Sequence, residues 1–306
     1  MNLRFTSAAL AMGAAMLVCV PAFADPVKVT ASFSILADMT KRIGGDDVAV
    51  TALVGPDGDA HVYQPTPADA KAVAGAQLVV VNGLGFEGWL DRLVKSSGYK
   101  GPVTVATKGV KPLKGADSHE HNHKEGHDHG AADPHAWQSV ANAQIYAENI
   151  LAGLTAAAPD KADAFKARHA AYRADLAALD AEIKAALAPI PQKERKVVTT
   201  HDAFAYFGKA YGVTFLSATG VSTESEASAG DVAKLIRQIK KEKVKAVFVE
   251  NISDPRLVQR IAEETGAALG PAVYSDALAA SGDASTYVGM MRQNAKAFAA
   301  ALTPKS

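Results

Sequence analysis

The sequence predicts an α/β fold of two lobes, each a mainly parallel sheet flanked by helices, joined by one long rigid helix. Short β-rich runs alternate with amphipathic helical stretches in both halves of the chain, and repeated β-α units form parallel sheets covered by helices. Between the halves lies one long helical pattern, 161–187, which is rich in Ala, Leu, Lys, Glu and Asp. The chain has 306 residues, enough for two lobes with buried cores.

The first half of the chain indicates strands that alternate with shorter helices. We expect strands at 27–33, 48–54, 77–82 and 103–106, and helices at 36–43, 67–76 and 86–96. Leu78 to Val81 form an unbroken apolar run, which indicates a strand buried on both faces of its sheet. Residues 115–130 carry no hydrophobic periodicity, so a loop ends this half.

The second half repeats the alternation after two consecutive helices, at 140–157 and 161–187. The long helix starts after Pro159 and stops before Pro189, and it spans ~40 Å at ~1.5 Å per residue. Beyond it we expect strands at 195–199, 213–218, 244–250 and 272–275, and helices at 203–211, 231–241, 255–265 and 286–302. The predicted organisation is an N-terminal lobe at 25–158, a linker helix at 159–190 and a C-terminal lobe at 191–306.

Residues 1–24 have the layout of a secretory signal peptide. Arg4 supplies a positive charge, residues 8–20 are uncharged, and Ala22 and Ala24 are the small residues expected before a cleavage site. A membrane anchor is the alternative, but a hydrocarbon core of ~30 Å needs about 20 apolar residues. Lipid attachment at Cys19 is a second alternative, disfavoured because small side chains are missing immediately before it. We expect cleavage after Ala24 and a periplasmic protein.

Composition excludes several classes of function. Lys and Arg together number 32, and Asp and Glu together also number 32. This balance of charge argues against an electrostatic nucleic-acid binder and a polybasic membrane-surface protein. The single Cys excludes a disulfide framework and a cysteine-based zinc finger. Because Cys19 falls inside the predicted signal peptide, a metal site in the mature chain must use nitrogen and oxygen ligands.

Five of the nine histidines crowd into a His-rich loop, defined here as 117–129. They are His119, His121, His123, His127 and His129. Imidazole favours zinc, copper and nickel over calcium or magnesium, so the loop predicts a secondary metal-binding segment. It should bind more weakly than a preformed site because binding orders the chain. A solvated linker that is rich in histidine is the alternative.

Three other histidines and one aspartate stand at the edges of predicted elements. His61, His201 and Asp276 follow predicted strands, and His135 precedes a predicted helix. In open α/β sheets ligands gather at the carboxyl ends of strands, where three imidazoles and a carboxylate would form a tetrahedral shell suited to zinc. A lone histidine is more often an ordinary core or surface residue, and spacing alone does not establish that these four converge. His169, in the middle of the long helix, is expected on a solvated face.

Several motifs occur in a fixed order over nearly all of the predicted mature chain. They are His-Val-Tyr-Gln-Pro-Thr-Pro-Ala-Asp at 61–69, Asn-Gly-Leu-Gly-Phe-Glu-Gly-Trp at 82–89, Asp-Pro-His-Ala-Trp at 133–137, Thr-His-Asp-Ala-Phe-Ala-Tyr-Phe at 200–207 and Tyr-Ser-Asp at 274–276. This ordered set resembles the zinc/manganese solute-binding proteins of ABC importers, the cluster A-I family.

The resemblance implies two α/β lobes linked by a long rigid helix, with the metal bound between them. By the same resemblance, His61 and His135 match the ligands of the first lobe, and His201 and Asp276 match those of the second. In the family, His at the third position goes with zinc and Glu there goes with manganese, so His201 implies Zn²⁺, with Mn²⁺ as the alternative. The His-rich loop of zinc members falls where 117–129 falls here.

One departure from the family concerns the residue before the first ligand. Some zinc members have Glu there, whereas this chain has Ala60, with Asp59 one step earlier. Asp276 is therefore the better oxygen donor. A ligand imidazole also needs an acceptor for its second nitrogen, and sequence does not assign it. The available carboxylates are Asp202, Glu224, Glu226 and Glu250.

The function implied by the resemblance is capture of Zn²⁺ in the periplasm and delivery to an ABC permease in the inner membrane, without enzymatic chemistry. Neutral imidazole is required, so affinity should fall as pH drops through ~6.5. The predicted protein is a monomer, and a periplasmic zinc chaperone is a further partner. Alternatives are a periplasmic zinc buffer without a transporter, and a zinc hydrolase, which needs a free coordination position. Against the hydrolase, Asp276 is expected to close the coordination shell, so no position would be left free for water.

Overall fold

The structure is a computed structural model that describes residues 25–115 and 132–303. The predicted signal peptide 1–24 and the His-rich loop with its five histidines lie outside the described residues, so what the sequence predicts for them stays a prediction. No helix within the described ranges is long and apolar enough to cross a membrane.

The first sheet consists of parallel strands that alternate with helices. In chain order its elements are β1 Val27–Phe33, α1 Ser34–Gly44, β2 Val48–Val54, α2 Pro67–Ala74, β3 Leu78–Val81, α3 Leu90–Ser97 and β4 Val103–Val105. The strand order across the sheet is β2-β1-β3-β4. The third strand is the apolar run noted in the sequence, and every residue in it is buried, as a strand covered on both faces requires.

Two helices, α4 Val140–Ala157 and α5 Ala162–Leu187, lead from the first sheet to the second. The elements that follow are β5 Lys196–Thr199, α6 Ala205–Tyr211, β6 Thr214–Ser217, α7 Ala229–Glu242, β7 Ala246–Val247, α8 Arg256–Thr265, β8 Ala268–Leu269 and α9 Tyr287–Leu302. The order β6-β5-β7-β8 repeats that of the first sheet, and all its pairings are parallel. The predicted fold class is confirmed.

The last strand lies earlier in the chain than predicted. β8 ends at Leu269, and the predicted strand 272–275 contributes only an isolated parallel bridge between Val273 and Glu250. Pro271 explains the break, because proline has no N–H to donate to the ladder. The chain remains beside its neighbour after the break, which carries the following residues to the carboxyl edge of the second sheet.

The long helix α5 packs along α1, α4 and α9 and joins both halves of the chain through one continuous core. His169 lies on its buried face and is only 6% exposed, so the predicted solvated position is wrong. It stands four residues after Phe165 and three before Tyr172, both buried, and this spacing returns to the same helix face. The seven-residue interval from Phe165 to Tyr172 indicated a buried helix face that includes His169, but the charged residues next to His169 in the sequence favoured a solvated position.

Candidate metal centre

His61, His135, His201 and Asp276 come together in the structure and are called the cage below. Each offers a ligand atom, and these atoms all lie within 4.8 Å of one another. His135, His201 and Asp276 are fully buried, and His61 is 8% exposed. The loops that carry them emerge at the carboxyl edges of the two sheets, where a ligand is expected in parallel α/β folds.

The spacing inside the cage fits a cation at its centre. The Nε2 atom of His135 lies 3.2 Å from that of His61 and 3.3 Å from that of His201. The Oδ2 atom of Asp276 lies 3.2 Å from the Nε2 atoms of His61 and His201. Ligands at ~2.0–2.1 Å from a tetrahedral zinc ion are about 3.3 Å from one another, so the cage needs little rearrangement to hold one.

Two buried carboxylates orient the imidazoles of the cage. The Nδ1 atom of His135 lies 2.8 Å from Oδ1 of Asp133, and the Nδ1 atom of His201 is hydrogen-bonded to Glu250. Glu250 also accepts the backbone N–H of His201 at 2.9 Å. Since a carboxylate accepts the Nδ1 proton, the Nε2 lone pairs point into the cage, as metal ligation requires.

Sequence reasoning included Glu250 among its candidate acceptors but missed Asp133. A local signal was present, because Asp133 precedes His135 by two residues and accepts its backbone N–H at 2.9 Å. Asp59 does the same for His61, also at 2.9 Å. An Asp side chain that accepts the amide two residues later is a common turn motif, so the repeated Asp-x-His pattern could have identified both pairs.

Asp276 is a buried carboxylate that faces the imidazoles of the cage. Both of its oxygens are buried and lack a conventional hydrogen bond within the described residues. The preceding residue is fixed, because Ser275 O accepts Trp137 Nε1–H at 2.9 Å and Gln138 Nε2–H at 2.7 Å. Leu278 N–H donates to the Ser34 hydroxyl at 3.0 Å. Contacts from the first half of the chain therefore hold the carboxylate among the imidazoles, where a cation would offset its desolvation.

Aromatic rings form the wall of the cage. The Phe86 ring lies 4.8 Å from the ring of His61 between centroids, edge to face, and Trp137 lies 5.3 Å from His135. Phe86 and Trp137 also contact each other at 4.9 Å. These apolar rings exclude water from the imidazoles and restrict their rotation, which preorganises the donors.

A left-handed turn places Phe86 at this wall. Gly83, Leu84 and Gly85 have φ values of +87°, +57° and +80°, so helix α3 starts at Leu90 rather than at the predicted residue 86. Within the turn, the Glu87 carboxylate accepts the Ser32 hydroxyl and the Asn82 N–H, both at 2.6 Å. Glycine tolerates positive φ readily. The hydrogen bonds to the Glu87 carboxylate offset the backbone strain that remains in the turn.

The cage raises the pKa of His135 and His201, and so favours protons on them when no metal is bound. Burial alone lowers the pKa of His135, but the carboxylates of Asp276 and Asp133 outweigh it and raise this pKa to about 9. Burial likewise opposes protonation of His201, yet Glu250 and Asp276 raise its pKa well above the usual value. Burial raises the pKa of Asp276, but His201 and His135 hold it well below its ordinary value. A metal ion must therefore displace protons as it binds.

Replacing Glu250 by Gln is expected to weaken zinc binding by about 10- to 100-fold, because Gln cannot fix the Nδ1 proton of His201 with a negative charge. Titration calorimetry with Zn²⁺ measures the change. Glu242→Gln is the matched control, since Glu242 pairs with Lys196 away from the cage. Equal affinities for the Glu250 variant and the unaltered protein would contradict the orienting role of this carboxylate.

Comparison with known proteins places this chain among metal-binding proteins. The family model described as zinc-uptake complex component A, periplasmic, matches residues 29–301. The chain is 33% identical to the manganese-binding lipoprotein MntA of Halalkalibacterium halodurans over 281 residues, covering 91% of this chain and 89% of that relative. It is 32% identical to the iron-binding protein YfeA of Yersinia pestis over 269 residues, covering 88% and 84%.

Solved structures with the same fold include metal-binding proteins of the periplasm. The periplasmic zinc-binding protein TroA from Treponema pallidum is similar with a TM-score of 0.83 and 29% identity, over 92% of this chain and 100% of that one. The Mn-bound periplasmic metal-binding protein from Candidatus Liberibacter asiaticus is similar with a TM-score of 0.80 and 29% identity, over 91% and 100%.

Proposed function

The chain belongs to the periplasmic zinc-uptake component A family, and from this membership we propose that it captures Zn²⁺ in the periplasm through its cage and hands it to an ABC permease. Members of this family are substrate-binding proteins of ABC importers rather than enzymes, and they work with a membrane permease and its ATPase. Metal binding is therefore shared with the family, whereas zinc as the cargo and the four cage residues as its ligands are the proposal.

The donor set of the cage carries the assignment to zinc. Three Nε2 atoms face one carboxylate at separations of 3.2–3.5 Å, and imidazole nitrogen suits zinc better than it suits manganese, calcium or magnesium. One carboxylate leaves a dication only partly neutralised. The Asp133 and Glu250 carboxylates behind His135 and His201 supply the further negative charge.

Manganese is the second candidate cargo. Relatives that match most of the chain are named manganese-binding, among them MntA of Bacillus subtilis at 34% identity. Both oxygens of Asp276 face cage imidazoles, Oδ1 at 3.5 Å from His135 and Oδ2 at 3.2 Å from His201. A bidentate carboxylate would raise the coordination number, which manganese favours more than zinc does.

Cleavage after Ala24 and release into the periplasm are also part of the proposal. Several relatives are named lipoproteins, which keeps lipid attachment at Cys19 as the competing arrangement. Mass spectrometry of protein purified from its own compartment distinguishes them. An unmodified N-terminus at Asp25 supports release, and a diacylated Cys19 contradicts it. A monomeric state and a zinc chaperone remain predictions.

The test of the cargo is the metal content of protein purified from its native compartment, with an anomalous edge measured on crystals. We expect one zinc ion per chain. Calorimetry on a variant that lacks 117–129 should retain one tight zinc site, and His61→Ala should lose it. Native manganese would contradict zinc as the cargo. Loss of the tight site on deleting 117–129, with His61→Ala harmless, would contradict the cage as the site.

A further inference from the structure

Asp59 connects a cage residue to a loop in the other half of the chain. Its Oδ1 atom accepts the backbone N–H of His61 at 2.9 Å, and its Oδ2 atom accepts the hydroxyl of Thr223 at 2.7 Å. Asp59 and His61 follow β2, whereas Thr223 lies between β6 and α7. Both oxygens of the carboxylate are thus engaged by the protein, which argues for a structural role rather than supplementary metal ligation.

Thr223 belongs to the segment 218–228, which contains neither helix nor strand. The start of this segment is held to the second half of the chain, because the Thr219 hydroxyl donates to Thr200 O at 3.2 Å. Further along, the Glu224 N–H donates to the Ser222 hydroxyl at 3.2 Å, a local contact. The bond from Thr223 to Asp59 therefore ties an irregular segment of the second half of the chain to the loop that carries His61.

The approach to the cage lies beside this bond. A cavity of about 580 Å³ has Asp59, Thr223 and His201 among its lining residues. Within the cage, His61 is 8% exposed while the other three residues are fully buried. His201 borders the cavity and the backbone of His61 is hydrogen-bonded to Asp59, so an ion that reaches the cage through this cavity would pass close to the Asp59–Thr223 pair.

We propose that the Asp59–Thr223 hydrogen bond is a latch that sets how fast the metal enters and leaves the cage. This inference rests on the proposed function. Asp59 and Thr223 are positioning residues, because Asp59 acts through the amide of His61 and Thr223 holds Asp59. When this hydrogen bond breaks, residues 221–228 can move away from the cavity and leave it open to solvent. The four cage residues need not move apart for this to happen.

Other contacts keep the His61 segment in place when the latch opens. The Asp57 N–H donates to Leu278 O at 2.9 Å, and Trp89 Nε1–H donates to Ala60 O at 2.8 Å. Neither contact involves Thr223. Loss of the latch should therefore change the rates of metal exchange far more than the equilibrium affinity.

The test compares zinc exchange in Thr223→Val, which removes the hydroxyl and keeps the branched shape. Zinc-loaded protein is mixed with excess chelator, and release is followed by stopped flow. We expect release to be about tenfold faster in the variant, because a hydrogen bond to a carboxylate no longer closes the segment. Loading with Zn²⁺ alone should accelerate similarly, which leaves the dissociation constant within about threefold of the unaltered protein.

Two variants separate the latch from general loosening. Thr223→Ser keeps the hydroxyl, and Thr219→Val removes a hydroxyl from the same segment without touching Asp59, so both should release zinc at the unaltered rate. An unchanged rate in Thr223→Val, or equal acceleration in Thr219→Val, would overturn the latch. The proposed function fails by a different result, namely tight zinc binding that survives His61→Ala.

Discussion

Replacing Asp276 by Asn is expected to lower zinc affinity by about 100-fold or more. Asp276 is the one anionic member of the cage, and Asn keeps its shape while it removes the charge. Four-ligand zinc sites have apparent binding free energies of about 10–16 kcal/mol, so one ligand contributes roughly 3 kcal/mol. Competition calorimetry against a chelator of known affinity measures the loss.

The same substitution has a second, independent readout. Asp276 is one of the carboxylates that raise the pKa of His135, so the pKa of His135 should fall in metal-free Asp276→Asn when titrated by NMR. Asp283→Asn is the matched control, because Asp283 is an exposed carboxylate in the following turn. Zinc affinity that is unchanged in Asp276→Asn would remove the carboxylate from the site, whatever happens to His135.

Sequence periodicity predicted most of the fold because local spacing decides most of it. The bounds of β1, β2 and α4 match the prediction, since each has an uninterrupted apolar pattern between clear breaks. The failures occur where other forces decide. Pro271 interrupts the last ladder, and at 83–85 a left-handed turn replaces the predicted start of α3. That turn is stabilised by Glu87 reaching back to Ser32, a contact across 55 residues that periodicity does not contain.

The cage shows a different limit to what sequence can predict, namely which distant residues meet. Each of its members stands at the edge of a predicted element, but only the folded chain shows that positions as distant as 61 and 276 share one centre. The resemblance to a known family supplied that convergence in advance. The resemblance did not identify which carboxylates accept the second ring nitrogen of the cage histidines. The Glu250–His201 bond, for example, joins residues 49 positions apart that lie at the ends of neighbouring strands. Long-range partners of this kind depend on strand order, which was not predicted.

Raising the pH from about 6 to about 8 is expected to tighten zinc binding by at least about 100-fold. Sequence alone placed the pH dependence near ~6.5, but Asp276 and Asp133 outweigh burial and raise the pKa of His135 to about 9. Below that pKa the ion must displace the His135 proton, and each displaced proton makes affinity rise about tenfold per pH unit. His201, whose pKa is also raised, steepens the dependence further.

The metal-free protein should show the opposite trend. A histidine whose folded pKa lies above its unfolded value stabilises the fold fully below about 6.5, and this stabilisation is lost as pH rises through about 9. Denaturant unfolding of metal-free protein should thus give a lower free energy at pH 9 than at pH 7, whereas zinc-loaded protein should not. His169→Gln changes a histidine outside the cage and should leave the affinity slope unaltered. Zinc binding that releases no proton at pH 7, measured by calorimetry in buffers of different ionisation enthalpy, would mean that His135 and His201 are already neutral.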